Sequence, residues 1–286
     1  MSVVLSPVEM THRLNTQRRV MDWLHWWRLE EWQRSPFLQV LEDGKGAALA
    51  VPIGCSPLSQ GQCGTGQAWL RWCALANGAS AGRTLRQLLE RLRTHLVLFG
   101  VRELWALTLT SDWLHPYVAD LGFRLSEHII TFARGNAALS EAQSPAQVSP
   151  LMLSLDLDAL VEVDATAFNP PWQLGYADLR RLLRTATLGY VALVDYRIVG
   201  YVCALRERYD EAHIVRLAVA PNWQRRGIGR ALLTAAMRAL AERGVTYISL
   251  NTMASNTAAQ RLYSQLGFVR ERRRGFVWCL RLDEDR

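Results

Sequence analysis

The residues with the clearest capacity for chemistry lie in one loop in the second half of the chain, within Arg216–Leu233. A predicted strand ends at Val219, a Pro-Asn turn follows, and Gly227 and Gly229 stand where the next helix is predicted to begin. Backbone N–H groups at a helix start have no intrahelical acceptor and point outward together, which favours anions. Because glycine has no Cβ, a phosphate can approach the backbone closely. The loop therefore predicts a phosphate-binding site.

Positive side chains stand at the same end of the predicted helix. Arg225, Arg226 and Arg230 would suit a diphosphate or a 3′-phosphate. An exposed loop that uses glycine only for turning is the alternative interpretation. Two other nucleotide-binding patterns are not met. A dinucleotide fingerprint requires glycine where Leu232 stands, and a P-loop requires a lysine that this stretch lacks.

At this loop the sequence resembles the GNAT acetyltransferase superfamily. The family signature Q/RxxGxG/A is met by Gln224–Gly229, and Ala254–Phe268 (ASNTAAQRLYSQLGF) looks like the family's closing segment. Phe168 and Pro171-Trp172 look like its substrate-side helix-loop-helix. The resemblance covers about Val148 to Leu282. It implies an N-acetyltransferase that moves an acetyl group from acetyl-CoA directly to a primary amine.

The resemblance also implies where acetyl-CoA would lie. In this family the cofactor occupies a cleft where two parallel strands diverge, here the strands ending at Val219 and Thr252. Strand backbone groups would bind the pantetheine arm, and the arginine and glycine loop would bind the pyrophosphate. The implied cofactor-binding residues are Leu217, Ala218, Val219, Gln224, Arg225, Arg226, Gly227, Ile228, Gly229, Arg230 and Asn256.

Tyr263 is implied as the acid that faces the departing CoA sulfur. A phenol, with a reference pKa of about 10, can donate a proton to a thiolate whose thiol has a pKa of about 8.5. The alternative is an aromatic ring that packs beside Leu262 and Leu266. Asn256 has a second interpretation as well, as the N-cap of the helix that follows, and the two roles are compatible.

A general base is required because a substrate amine is largely protonated at neutral pH. His213 is the leading candidate, since it is predicted to share a strand face with Leu217 and Val219. It stands at the position where some histone-modifying relatives have a catalytic glutamate. A water chain, Glu162 and Asp164 are the alternatives for the base, and a solvated histidine at a strand edge is the alternative for His213.

One departure from the family concerns the acceptor. Relatives that acetylate ribosomal protein N-termini have a glutamate after the strand leucine, whereas this chain has Asn251 after Leu250. The replacement argues against that substrate. The acceptor is therefore predicted only as a primary amine of a small molecule or protein.

The domain organisation follows from an internal repeat. Gly100-Val101 and Gly244-Val245 each precede a strand pattern at an offset of 144, and Leu121-Gly122-Phe123 answers Leu266-Gly267-Phe268 at 145. Each half is predicted as strand, glycine-bearing loop, helix, strand, helix, strand. The predicted fold class is α/β with a mixed sheet, in two tandem GNAT-like acyl-CoA N-acyltransferase domains. The predicted boundaries are 1–134 for the first domain, 135–150 for a linker and 151–286 for the catalytic domain.

The first domain is predicted to be degenerate. Its loop, Asn77–Gly82, lacks the arginines, and Ser80 stands where the second half has Gly227. Tyr117 lies one residue further from its Leu-Gly-Phe segment than Tyr263 does, a shift of about 100° around a helix. We expect acetyl-CoA to bind only in the second half. The opposing hypothesis is a non-catalytic acyl-CoA-binding or interaction module with the same fold.

Composition limits which classes of partner and site the chain is expected to have. The 286 residues carry a formal charge of +7, and 32 of the 33 basic residues are arginine, with Lys45 the exception. Basic and acidic residues are mixed in both halves, which favours a solvated surface over nucleic-acid binding. The five cysteines show no CxxC pair, so no metal site and a reducing cytoplasm are expected. No apolar run reaches about 18 residues, and no membrane contact is predicted.

Overall fold

The computed structural model describes residues 19–22, 35–41, 45–53, 66–135 and 144–283. In chain order they form first β1 (Arg19–Asp22), β2 (Leu38–Val40), β3 (Gly46–Pro52), β4 (Gln67–Leu75), α1 (Ala81–Leu98), β5 (Glu103–Leu109), α2 (His115–Val118) and β6 (Arg124–Gly135). There follow β7 (Gln147–Pro150), α3 (Leu153–Ala167), α4 (Tyr176–Thr185), β8 (Leu188–Val194), β9 (Arg197–Arg206), β10 (Glu211–Val219), α5 (Ile228–Glu242), β11 (Tyr247–Met253), α6 (Thr257–Gln265) and β12 (Val269–Arg281).

These elements group into two compact units. The first unit contains the described residues up to Glu127 together with those from Gly275 onward, and the second contains His128–Arg274. The fold is mixed α/β in both, as predicted. The predicted linker is shorter than expected, since Gln147–Pro150 form β7 and pair with β8. Its residues 136–143 lie outside the described ranges.

The second unit has a sheet in the order β6-β11-β10-β9-β8-β7. Strands β10 and β11 are parallel, and the other neighbours in this unit are antiparallel. Helix α5 packs on β8, β9 and β10, and α3 packs on β9 and β10. The helix predicted to follow the glycine loop is confirmed, and its residues Ile228, Leu232, Ala236 and Leu240 are all buried against the sheet.

The first unit repeats the central pattern. Strands β2, β3, β4 and β5 are neighbours in that order, and β4 and β5 are parallel with α1 connecting them. The α1 residues Leu88, Leu92 and Leu96 are buried at a helical spacing. Both units also end a helical segment in Leu-Gly-Phe, where Gly122 and Gly267 have φ of +91° and +79°. The glycine permits this left-handed turn into the next strand.

Each unit is completed by a strand from the other half of the sequence. In the first unit, the Gly275–Arg281 part of β12 pairs antiparallel with β5. In the second unit, the Ile129–Gly135 part of β6 pairs antiparallel with β11. For this reason the compact units do not coincide with the predicted division at residues 135–150. A repeat in the sequence reports which elements are equivalent and carries no information about which copy of a strand pairs with which.

Candidate active site

Strands β10 and β11 run side by side for only part of their length. The parallel pairing joins Glu211–Ile214 to Tyr247–Leu250. At that point β10 has a bulge, because Ile214 lies opposite Ala204 and Arg216 lies opposite Cys203, which leaves Val215 as the extra residue. Beyond the bulge β10 stays paired with β9 up to Val219, and the described pairing with β11 has ended. The backbone edge of Arg216–Val219 towards β11 is therefore available to a ligand.

The bulge also decides which side chains share a face of the sheet. One extra residue reverses the alternation, so His213 lies on the face of Arg216 and Ala218, while Leu217 and Val219 lie on the opposite face. Leu217 and Val219 pack against the core that contains α5. The expectation that His213 shares their face is therefore wrong, because it assumed an unbroken strand.

The glycine loop follows β10 directly. Arg225 and Gly227 both have positive φ, of +58° and +80°, and Gly227 is the N-cap of α5. Such a backbone turns successive N–H groups to one side and forms an anion-binding concavity at the helix start. At Gly229, a Cβ would meet Leu262 Cδ2 at 3.3 Å. This glycine therefore also allows α6 to approach α5, a role that the motif did not indicate.

Most of the other loop side chains have partners within the protein. Gln224 Nε2 donates to the Val219 carbonyl at 2.9 Å and closes the loop onto the strand end. The Arg226 guanidinium lies 4.9 Å from the Trp223 ring centre, and Arg230 Nη2 donates to Gln265 Oε1 at 2.9 Å. The Ile228 side chain is buried, so this residue can offer a ligand only its backbone.

A buried ion pair lies on the face of the sheet opposite to the one that α5 covers. The Arg216 guanidinium binds both Asp164 carboxylate oxygens, Nε to Oδ2 at 2.8 Å and Nη2 to Oδ1 at 2.7 Å. The Tyr201 hydroxyl donates to Asp164 Oδ2 at 2.5 Å. Burial raises the pKa of Tyr201 well above its usual range, which keeps this hydroxyl protonated as a donor.

The same ion pair holds the loop between α3 and α4. Arg216 Nη2 donates to the Trp172 carbonyl at 2.6 Å, and the Leu174 N–H donates to Asp164 Oδ1 at 2.8 Å. The centre of the Phe168 ring lies 3.5 Å from Arg216 Cζ. The two aromatic residues that the resemblance assigns to the substrate side are thus anchored on β10.

These contacts bear on Asp164 and Glu162, the alternative candidates for the general base. Asp164 is fully buried and saturated by Arg216, Tyr201 and Leu174, so it serves the structure and is not a proton acceptor for a substrate. Glu162, two residues earlier on α3, is exposed and stays an untested alternative. No sequence motif marks the Asp164–Arg216 pair, since the partners are 52 residues apart.

Tyr263 lies on the α5 side of the sheet. Its side chain is 6% exposed, and its ring contacts Phe132 edge to face, with ring centres 5.8 Å apart. Tyr263 therefore packs in the core cluster that also contains Leu266, with Phe132 as its ring neighbour. Burial raises the pKa of Tyr263 to about 12, so its hydroxyl is protonated at neutral pH. A protonated phenol at this position remains compatible with the role of an acid.

Helix α6, which carries Tyr263, is fixed at both ends. At its start, Asn256 Oδ1 accepts from the Ala259 N–H at 3.1 Å, which confirms the N-cap interpretation and leaves the amide nitrogen of Asn256 for another partner. At its end, Arg134 Nη1 donates to the Leu266 carbonyl at 2.5 Å. Arg134 belongs to β6, far away in the sequence.

His213 is part of a polar cluster on the face opposite Tyr263. Its Nδ1 lies 2.8 Å from Ser249 Oγ, and its Nε2 lies 3.5 Å from Asn251 Nδ2. Asn251 Oδ1 in turn accepts from the Thr131 hydroxyl at 2.9 Å. The sequence indicated Asn251 only as a departure from the family, and it gave no signal for Ser249 or Thr131.

The equivalent region of the first unit differs at the helix start. Strands β4 and β5 also pair only briefly, Gln67–Trp69 with Glu103–Trp105. However, α1 begins after Ser80, whose φ of −71° is ordinary extended backbone, where the second unit has the left-handed Gly227. The first unit therefore keeps two parallel strands that separate, and it lacks the left-handed turn at the start of the helix between them.

Two further observations concern other kinds of site. Within the described ranges, no three His, Cys, Asp or Glu side chains come together as a metal site. No helix of the described chain is both long and apolar enough to cross a membrane.

Known acetyltransferases are similar to this chain over part of its length. The model of the acetyltransferase (GNAT) family matches residues 157–268. A [ribosomal protein bS18]-alanine N-acetyltransferase of Haemophilus ducreyi is 34% identical over 113 residues, which are 40% of this chain and 76% of that protein. The Escherichia coli enzyme of the same name is 49% identical over 59 residues, 21% of this chain and 40% of that one. An N-alpha-acetyltransferase of Sulfurisphaera tokodaii is 31% identical over 127 residues, 40% and 74% of the two chains.

Solved structures with the same fold cover both units. A GCN5-related N-acetyltransferase from Sphaerobacter thermophilus has a TM-score of 0.61 at 19% identity, over 87% of this chain and 81% of that one. A tandem GNAT protein from the clavulanic acid biosynthesis pathway has a TM-score of 0.59 at 15% identity, over 85% and 80%. At these identities the likeness concerns the fold, and it agrees with the tandem arrangement.

The ion pair under the site leads to a stability prediction. We expect Asp164→Asn to lower the free energy of unfolding by about 3–5 kcal/mol, because Arg216 would keep a buried charge without its counter-charge. Glu162→Gln on the same helix is the control and should change the stability by less than about 0.5 kcal/mol, because Glu162 is exposed. Urea denaturation followed by circular dichroism measures both. Equal stability of the two variants would contradict this account of the pair.

Proposed function

The chain belongs to the acetyltransferase (GNAT) family, and from that premise we propose that its second unit transfers an acetyl group from acetyl-CoA directly to a primary amine. The enzyme is an acyltransferase. The observation that carries the proposal is the open backbone edge of Arg216–Val219 leading to the turned loop at Gly227. An extended arm with amide groups matches the strand edge, and a diphosphate matches the N–H groups at the helix start.

The chemistry requires three proton transfers. A base takes one proton from the substrate ammonium, and the neutral amine nitrogen then forms a bond to the thioester carbonyl carbon. As the carbon–sulfur bond breaks, the departing thiolate takes a proton from an acid, and the nitrogen loses its second proton, which restores the acid. The products are an acetylated amine and free CoA thiol, with no covalent enzyme intermediate.

We assign the acid to Tyr263 and the base to His213. They lie on opposite faces of the sheet, and the pairing of β10 with β11 ends at Ile214, the residue after His213. We place the thioester in the gap beyond Ile214, with Tyr263 on its α5 side and the amine on its α3 side, beside His213. The raised pKa of Tyr263 keeps its proton available for the thiolate.

The acceptor is proposed by class only. Two of the relatives are named [ribosomal protein bS18]-alanine N-acetyltransferases and one is named an N-alpha-acetyltransferase, which makes a protein α-amine the first acceptor to test. Asn251 leaves that region without the carboxylate that the family resemblance predicts, so small-molecule amines belong in the same test.

Binding of acetyl-CoA tests the loop. We expect Gly227→Ala to weaken acetyl-CoA binding about 10- to 100-fold, because alanine disfavours the φ of +80° and the N–H groups then point away from the phosphate. Gly244→Ala at the other end of α5 is the matched control. Its φ is +83° with open space around it, so the backbone strain is similar and the loop is untouched. Isothermal titration calorimetry measures both affinities.

The same titration counts the sites. Because the first unit lacks the left-handed residue at the start of α1, we expect one acetyl-CoA per chain. Unchanged affinity in Gly227→Ala would remove the phosphate-binding role from the loop, and a stoichiometry of two would contradict the loss of the site in the first unit.

Catalysis is tested by the release of free thiol from acetyl-CoA in the presence of amines, including an alanine-initiated peptide, polyamines, aminoglycosides and amino acids. With an accepted amine, Tyr263→Phe should lower kcat by about 10²-fold or more with little change in acetyl-CoA affinity, since the ring packing is kept and the proton donor is lost. Phe268→Leu, a change in the ring that packs beside Tyr263, is the control for packing alone.

Two results would count against this assignment. Full turnover by Tyr263→Phe would mean that another group supplies the proton. Binding of acetyl-CoA with no thiol release for any amine would favour the non-catalytic acyl-CoA-binding module instead.

A further inference from the structure

Strand β6 contacts Tyr263 directly and contacts His213 through Asn251, although it belongs to the first half of the sequence. Its residues Thr131, Phe132 and Arg134 lie opposite Asn251, Leu250 and Ile248 of β11. Thr131 points to the face of His213, and Phe132 and Arg134 point to the face of Tyr263. All three side chains are buried, at 8%, 4% and 8% exposure.

On one face, Thr131 is hydrogen-bonded to Asn251. Its hydroxyl donates to Asn251 Oδ1 at 2.9 Å, and in this orientation the amide N–H₂ group faces His213 Nε2 at 3.5 Å. An N–H donor facing Nε2 favours the tautomer in which Nε2 carries the lone pair and Nδ1 carries the proton. The Nδ1–H then has Ser249 Oγ as its acceptor at 2.8 Å. The 3.5 Å contact is long, and a substrate N–H at a normal distance would replace it.

On the other face, β6 holds the Tyr263 ring. The Phe132 ring packs edge to face on Tyr263 at 5.8 Å between ring centres. Arg134 Nη1 donates to the Leu266 carbonyl, three residues after Tyr263, at the end of α6. A charged donor at the C-terminus of a helix also suits the helix dipole.

We propose that β6 is the positioning strand of the acetyltransferase site, with Thr131 setting the tautomer of His213 through Asn251, and Phe132 and Arg134 holding Tyr263. This rests on the proposed function for the roles of His213 and Tyr263. The site would then depend on both halves of the sequence, because no residue after the predicted linker substitutes for β6.

The first measurement uses the wild-type protein with ¹⁵N-labelled histidine, at about pH 9 where imidazoles are neutral. Long-range ¹H–¹⁵N correlation spectra distinguish the two neutral tautomers, and the His213 signal is identified by its loss in His213→Gln. We expect the Nδ1–H tautomer. The Nε2–H tautomer would mean that the Asn251 amide faces the other way, and it would overturn the proposed action of Thr131.

The second measurement uses Thr131→Val, which keeps the shape of the side chain and removes the hydroxyl. We expect the spectrum to change to a mixture of tautomers, and kcat to fall about 10-fold, a part of what a general base supplies, with unchanged acetyl-CoA affinity. Thr131→Ser, which restores the hydroxyl, should recover both. Thr108→Val is the matched control, because Thr108 is fully buried and bonded to His115 and Trp278 in the first unit.

The Tyr263 side of the proposal is tested by Phe132→Leu, which should lower kcat several-fold without changing the His213 tautomer. Wild-type kcat and tautomer in Thr131→Val, or wild-type kcat in Phe132→Leu, would overturn the positioning role. The tautomer readout is independent of the proposed function, whereas the kcat readouts depend on it. If His213→Gln and Tyr263→Phe both turn over normally, the assigned roles fail, and the tautomer still decides whether Thr131 orients His213.

Discussion

The divergence of β10 from β11 at Val215 is the feature on which the rest of the site depends. Parallel strands normally share slanted hydrogen bonds along their whole length, and one inserted residue ends them here after Ile214. The unpaired edge that results would be costly if it stayed dry and empty, because backbone N–H and C=O groups need partners. A ligand or solvent must therefore satisfy it. The bulge also turns the Arg216 side chain onto the face of Asp164. One extra residue therefore accompanies the gap between β10 and β11 and also allows the ion pair of Arg216 with Asp164.

The Asp164–Arg216 pair connects β10 to α3. Two charges out of water are tolerable only with excellent geometry and further hydrogen bonds, and this pair has a two-point contact plus Tyr201, Trp172 and Leu174. Such a network resists small displacements. The loop that follows α3 is therefore held at a defined position relative to the strand that offers its backbone to acetyl-CoA in the proposed function. An acceptor bound by that loop would meet the thioester at no cost for ordering the loop.

The exchange of strands explains why a degenerate first half would be retained. In each unit the sheet is closed by a strand encoded in the other half, Gly275–Arg281 in the first and Ile129–Gly135 in the second. Loss of the first half would leave β11 with an open edge and remove the Phe132 ring from Tyr263. The first unit thus has a structural reason to persist even if it binds no cofactor, since its last strand completes the sheet that carries the chemistry.

Local patterns in the sequence were sufficient for the elements and for the loop. The glycines at 227 and 229, the helix that follows them and the Leu-Gly-Phe repeats depend on contacts within a few residues, and the positions of these elements were predicted correctly. The face of His213 was predicted wrongly, because a bulge changes the alternation without any change in the pattern of residue types. The sequence did not indicate the ion pair of Asp164, the cluster around His213 or the contacts of β6. These contacts join residues that are 36 to 132 positions apart. Such contacts depend on which strands pair and how they twist, so only the tertiary structure decides them.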